Sequence, residues 1–121
     1  MLSFVTLIFG LCREASNNGN IGLIIDVEDG VEAKLNMKGK VTLNSNGFYG
    51  MAIFQNPNTN LEINVENGST LNSCGNSPLD IYGFTASDAT LTFSGDGSYT
   101  CSSKDFVGGG TVVGPTCQDC S

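Results

Sequence analysis

Apolar and polar residues alternate along most of this chain in short runs, each interrupted by turn-forming residues. Between positions 33 and 54 the alternation places Ala33, Leu35 and Met37 on one side of an extended strand, with Lys34 and Asn36 on the other. Breaks at Lys38-Gly39 and Asn46-Gly47 divide this stretch into three pieces, 33–37, 41–43 and 51–54. The pattern predicts three short strands joined by tight corners. No long segment carries the three-and-four apolar spacing of an amphipathic helix.

The same pattern recurs. Residues 35–53 align without a gap on residues 63–81, an offset of 28. Asn36 then falls on Asn64, Thr42 on Thr70, Leu43 on Leu71, Asn44 on Asn72, Ser45 on Ser73 and Gly47 on Gly75. The apolar positions follow: Leu35 with Ile63, Met37 with Val65, Met51 with Leu79, Ile53 with Ile81. Backwards, Leu7 and Phe9 fall on Leu35 and Met37, and Leu23 and Ile25 on Met51 and Ile53; forwards, Leu91 and Phe93 fall on Ile63 and Val65.

A fixed period of this length is the mark of a solenoid. Three strands per period close a coil with its apolar side chains inward, and coils stacked about 4.8 Å apart pair each strand with its equivalents. We therefore expect an all-β fold, a right-handed parallel β-helix (β-solenoid) of about four 28-residue coils with three short strands each. The coils run near 1–25, 26–53, 54–81 and 82–109, so that 1–109 is solenoid and 110–121 a Gly- and Cys-containing tail. Asn44 over Asn72 would form an amide ladder. A β-sandwich also has short strands and Gly-rich turns, but it does not explain an ungapped repeat.

In coil length and pattern, over nearly its whole length, the chain resembles the right-handed parallel β-helix proteins, the pectin-lyase-like superfamily in the broad sense. Gly50-Met51-Ala52-Ile53 and Phe93-Ser94-Gly95-Asp96 are similar to the GGAI and FxxN repeats of polymorphic outer-membrane adhesins, with Met for the second Gly and Asp for Asn. The resemblance implies surface display, adhesion or polysaccharide contact. Polysaccharide lyases of this fold pair acidic calcium ligands with a basic residue that abstracts a proton. Arg13, Lys34, Lys38, Lys40 and Lys104 are the bases this chain offers, with Lys34, Lys38 and Lys40 one corner from its densest acidic cluster.

Composition narrows the chemistry. The 121 residues make one domain or a piece of one. A net charge of −7 with only five Lys and Arg argues against nucleic acid, whose phosphates need a basic stripe. No apolar run is long enough for a transmembrane helix. With no histidine in the chain, Ser-His-Asp and Cys-His nucleophiles and the usual zinc hydrolases are excluded. Gly108-Gly109-Gly110 lacks the Lys-Ser or Lys-Thr of a phosphate loop.

The five cysteines are Cys12, Cys74, Cys101, Cys117 and Cys120, and without histidine or a second CxxC they suit disulfides better than zinc. Cys74 and Cys101 lie 27 residues apart, one short of a coil, which predicts a bridge between stacked coils. Cys117 and Cys120 are candidates within a disulfide-knotted tail or the linker to a further module.

Asp26, Glu28, Asp29 and Glu32 are the candidate calcium ligands, on a turn that otherwise reads as a solvated corner. Asp80, Asp88 and Asp96 could supply a glycosidase pair, although no spacing selects one. Asn67-Gly68-Ser69 is an N-glycosylation sequon. Thr42, Thr70, Thr90, Thr92 and Thr100 raise an ice-binding face, although the stacked row Thr42–Thr70 ends at Ser98. Residues 2–12 fit the coil register and are expected as a strand; the alternative is a targeting segment, which lacks a preceding basic residue.

The expectation is a non-enzymatic extracellular or cell-surface module, a spacer or an adhesion or glycan-binding surface, with polysaccharide or another surface protein as partner. The alternative is a truncated piece of a β-helix polysaccharide lyase or hydrolase. No cofactor is expected beyond calcium.

Overall fold

A computed structural model describes residues 22–43, 49–74 and 80–120, together with the backbone of two earlier strands at 5–7 and 12–16. The strands, in chain order, are β1 (Val5–Leu7), β2 (Cys12–Ser16), β3 (Leu23–Val27), β4 (Glu32–Met37), β5 (Lys40–Leu43), β6 (Met51–Gln55), β7 (Asn60–Val65), β8 (Thr70–Ser73), β9 (Ile81–Thr85), β10 (Thr90–Ser94), β11 (Ser98–Thr100), β12 (Lys104–Val107) and β13 (Thr111–Val113). Sheet A has the order β1-β4-β7-β10-β13, sheet B β12-β9-β6-β3-β2, and sheet C β11-β8-β5.

From β3 to β11 the strands come in three triplets, one strand from each sheet, followed by the pair β12 and β13, and every pairing between successive turns is parallel. Alternation does what the sequence predicts. Leu23, Ile25 and Val27 on β3, Ala33, Leu35 and Met37 on β4, and Leu61, Ile63 and Val65 on β7 are all buried, while the residues between them are half-exposed. Each such aliphatic side chain contributes about 1.5–3 kcal/mol of burial. Parallel strands need a crossover between them, and here the remaining two sides of the coil supply it.

Gly83 and Phe106 are partners in the parallel ladder of β9 and β12. A Cβ on Gly83 would lie 2.6 Å from the Phe106 ring, so the missing side chain leaves that ring its place beside Phe93.

The stacking register departs from a constant 28. Leu23 pairs Met51 and Leu35 pairs Ile63 at that offset, but Thr42 pairs Asn72, Leu43 pairs Ser73, Ile53 pairs Gly83 and Leu91 pairs Leu61, all at 30. The cause is local. The corner between β7 and β8 holds Glu66, Asn67, Gly68 and Ser69, whereas the corner between β4 and β5 holds only Lys38 and Gly39. Two extra residues preserve which side chains face inward; one would have inverted every strand after it. The ungapped alignment therefore gives the right faces and the wrong partners past Gly39.

With that shift the expected Asn44–Asn72 ladder gives way, since Asn72 neighbours Thr42 and Asn44 lies outside the described residues. The amide ladder stands elsewhere: Asn64 Nδ2 donates to Asn36 Oδ1 at 3.2 Å. The threonine row is also broken, because Thr70 sits between Lys40 and Ser98.

The two ends differ from the expected coils. Leu7 does lie opposite Leu35, but β1 runs antiparallel to β4, with Val5 opposite Met37; β2 runs antiparallel to β3. The parallel first coil expected over 1–25 is thus corrected: these strands complete the ladders of β3 and β4 from the reverse direction. Antiparallel pairing satisfies an exposed edge equally well and needs no coil-long crossover. At the other end, β13 pairs in parallel with β10, and Gln118 bridges Thr100, with Cys101 N–H donating to Gln118 O at 2.9 Å. The expected tail is part of the stack.

Tyr99 closes the core there. Its hydroxyl donates towards Ser94 O at 2.7 Å and lies 3.1 Å from Ile63 O. Burial pushes its phenol up from 10.0 to about 12, and the Glu62 carboxylate adds to the effect. Between pH 10 and 12 the unfolded chain loses this proton and the folded chain keeps it. This contribution to stability is therefore complete below pH 10 and is lost as the pH rises towards 12. Denaturant titrations at rising pH are expected to show this loss, and Tyr99→Phe to flatten it.

Candidate functional site

The carboxylates and bases singled out in the sequence do not converge. Asp26 projects from the outer face of β3, with Phe54 of β6 opposite it on one side and Glu14 of β2 on the other. Glu28 and Asp29 occupy the corner before β4, and Glu32 is exposed at the start of β4. Among the described residues no three Asp, Glu or Cys side chains form a group able to hold a metal ion.

Asp80, Asp88 and Asp96 lie at three different corners. Asp80 is buried and its Oδ2 accepts the N–H groups of Ser102 at 2.6 Å and Ser103 at 3.2 Å. Asp88 accepts the N–H of Asn58 at 3.1 Å, and Asp96 is exposed between β10 and β11. Lys34 Nζ lies 3.7 Å from Glu62 and Lys38 Nζ 3.8 Å from Glu66. Lys104 is exposed on β12, and the side chain of Arg13 lies outside what the structure describes. Asn67 is exposed on its turn, while the sequon's Ser69 is buried and accepts the N–H of Gly39 at 2.9 Å.

The cysteines pair otherwise than expected. The disulfides are Cys74–Cys120 and Cys101–Cys117. Cys74 and Cys101 cannot meet, because the offset at this point of the stack is 28, as Thr70 opposite Ser98 shows. One residue short of that offset, they fall on opposite sides of their strands: Cys101 is buried and Cys74 half-buried. The tail reaches both, and each bridge fastens it to the last coils.

The outer faces of the two large sheets contrast sharply. Sheet A presents Lys34, Asn36, Glu62, Asn64, Thr92 and Ser94, with Val113 on its edge strand β13, and Ser94 Oγ donates to Glu62 Oε2 at 2.6 Å. A shallow groove of about 160 Å³ runs across it between Glu32 and Thr92. Within it Lys34 and Glu62 form an ion pair.

On sheet B the outward positions are mostly apolar. One ladder row reads Ser16, Ile24, Ala52, Tyr82, Asp105, and the next Glu14, Asp26, Phe54, Phe84, Val107. Phe54 and Phe84 are 38% and 41% exposed, although their positions have the parity that is polar on sheet A. Tyr49, just before β6, stacks on Tyr82 with ring centroids 5.2 Å apart, and Phe54 tilts against Tyr82 at 6.1 Å. This patch is built on aromatic residues that are not among the site candidates of the sequence. Its signal was present in MAIFQ and IYGFT, where an aromatic ring takes the outward fourth position of each strand.

Compared with protein-family models, curated proteins and solved structures, the chain matches none.

Proposed function

We propose that this chain is a non-enzymatic module of an extracellular or cell-surface protein: a right-handed β-solenoid of about four coils, in the manner of the pectin-lyase-like β-helix proteins, that holds a strand face out to glycans. The observation that carries this reading is the contrast between the outer faces of sheets A and B. A spacer alone would favour polar outer residues on both; sheet A keeps them except for Val113 on its edge strand, whereas sheet B exposes Phe54, Phe84 and Val107. The two disulfides suit an oxidising setting outside the cell. The dispersed carboxylates and the ion-paired Lys34 and Lys38 support binding without turnover.

The test is a glycan array probed with the purified chain, with and without calcium, followed by product analysis on every hit. Retention of a glycan with no new reducing or unsaturated ends is the expected result, independent of calcium. Cleavage of any bound glycan contradicts the non-enzymatic reading, and binding that requires calcium would return attention to Asp26, Glu28, Asp29 and Glu32.

A further inference from the structure

The outer face of sheet B narrows the occupant by size and by charge. Phe54 and Phe84 together leave about 160 Å² in contact with water, taking about 200 Å² for a whole phenylalanine side chain. With Val107 and the Tyr49–Tyr82 pair added, the patch stays well below the ~800 Å² per partner of a standard protein interface. A second copy of the chain or a globular partner would have to bury polar surface well beyond it. Three strand spacings separate Asp26 from Val107 across the sheet, about 14 Å. That is the footprint of a short, slim ligand lying along the solenoid axis.

Chemistry narrows it further. The rings offer apolar faces to the C–H side of a sugar, as aromatic side chains do at wet interfaces. Asp26 borders the rings on the β3 side, with Glu14 of β2 next to it in register, and Asp105 ends the other row on β12, so carboxylates flank the rings at opposite corners. Carboxylates accept strong hydrogen bonds from hydroxyl, amide or ammonium donors and repel other carboxylates. The whole chain carries a net charge of −7, which adds to that repulsion at long range.

Resting on the glycan reading above, we propose that the outer face of sheet B is the contact surface, and that it takes neutral or amino sugars and rejects uronic acid polymers. Phe54 and Phe84 carry the stacking, while Asp26 and Asp105 select against anionic chains. The polar groove of sheet A takes no part.

The experiment is an NMR titration of the intact, disulfide-bonded protein with three probes: the hexamer of N-acetylglucosamine, cellohexaose and hexagalacturonate. At least one of the first two is expected to bind, with shifts confined to β3, β6, β9 and β12. Phe54→Ala and Phe84→Ala are each expected to weaken it at least tenfold with an unchanged fold, and Thr92→Ala on sheet A to leave it intact. Asp26→Asn combined with Asp105→Asn is expected to admit hexagalacturonate.

Binding unchanged in both phenylalanine variants, or weakened by Thr92→Ala, would place the contact elsewhere while leaving the glycan reading standing. Tighter binding of hexagalacturonate to the unmodified protein overturns the charge selection. No response to the three probes, with hits on the array, overturns the sugar class; silence on both removes the glycan reading itself.

Discussion

Replacing Cys74 and Cys120 together by serine is expected to lower stability by about 4 kcal/mol, on the order of 10–15 °C in melting temperature. The bridge closes a loop of 46 residues, and its entropic effect grows with the logarithm of that length. The Cys101–Cys117 bridge spans 16 and is expected to contribute about 3 kcal/mol. The smaller loop lies within the larger, so loss of both costs less than the sum. Both act on the same end of the molecule. Freed, the tail would no longer hold Gln118 against Thr100, and the edge of β11 would open to water. Thermal melting of the two double variants, each with the other bridge intact, measures the separate effects; equal stability to the unmodified protein would show that the tail does not fasten this end.

Asp80→Ala is expected to be nearly as damaging, at about 3 kcal/mol. This carboxylate is 4% exposed and receives two backbone N–H groups, those of Ser102 and Ser103, as the chain turns into β12. Its own N–H donates to Ser103 Oγ at 3.0 Å, and its carbonyl accepts from Ser73 Oγ at 2.9 Å and from Met51 N–H at 3.0 Å. Alanine keeps the backbone bonds but leaves the Ser102 and Ser103 donors without their acceptor, next to the Cys74–Cys120 bridge. Asp80→Asn retains one acceptor oxygen and is expected to cost about 1 kcal/mol. Denaturant unfolding of the two variants separates these values. A catalytic acid, by contrast, could be neutralised with little change in stability, so a large loss speaks for the structural role.

Much of the fold was legible because inward and outward positions on a strand alternate strictly. Leu35, Met37, Ile63 and Val65 could be placed inside from spacing alone. What spacing could not fix was the length of each corner. The longer corner at 66–69 moved Thr42 from Thr70 to Asn72 without moving any side chain from one face to the other. The cysteines show the opposite case, where a single residue decided the outcome. Strand direction at the start of the chain was equally hidden, since Leu7 meets Leu35 whichever way β1 runs. The candidate site was missed for a different reason. Aromatic residues read as core by composition, whereas the parity of MAIFQ and IYGFT puts Phe54 and Phe84 on the outside.

Every face and every fastening described depends on the stacking register, and the disulfide map tests that register most directly. Proteolysis of the unreduced protein under conditions that prevent exchange, with mass spectrometry of the linked peptides, identifies the pairs. The stacking register requires Cys74 joined to Cys120 and Cys101 joined to Cys117. A Cys74–Cys101 or Cys117–Cys120 bridge would contradict it, because the first requires both residues on one face and the second releases the tail from the coils.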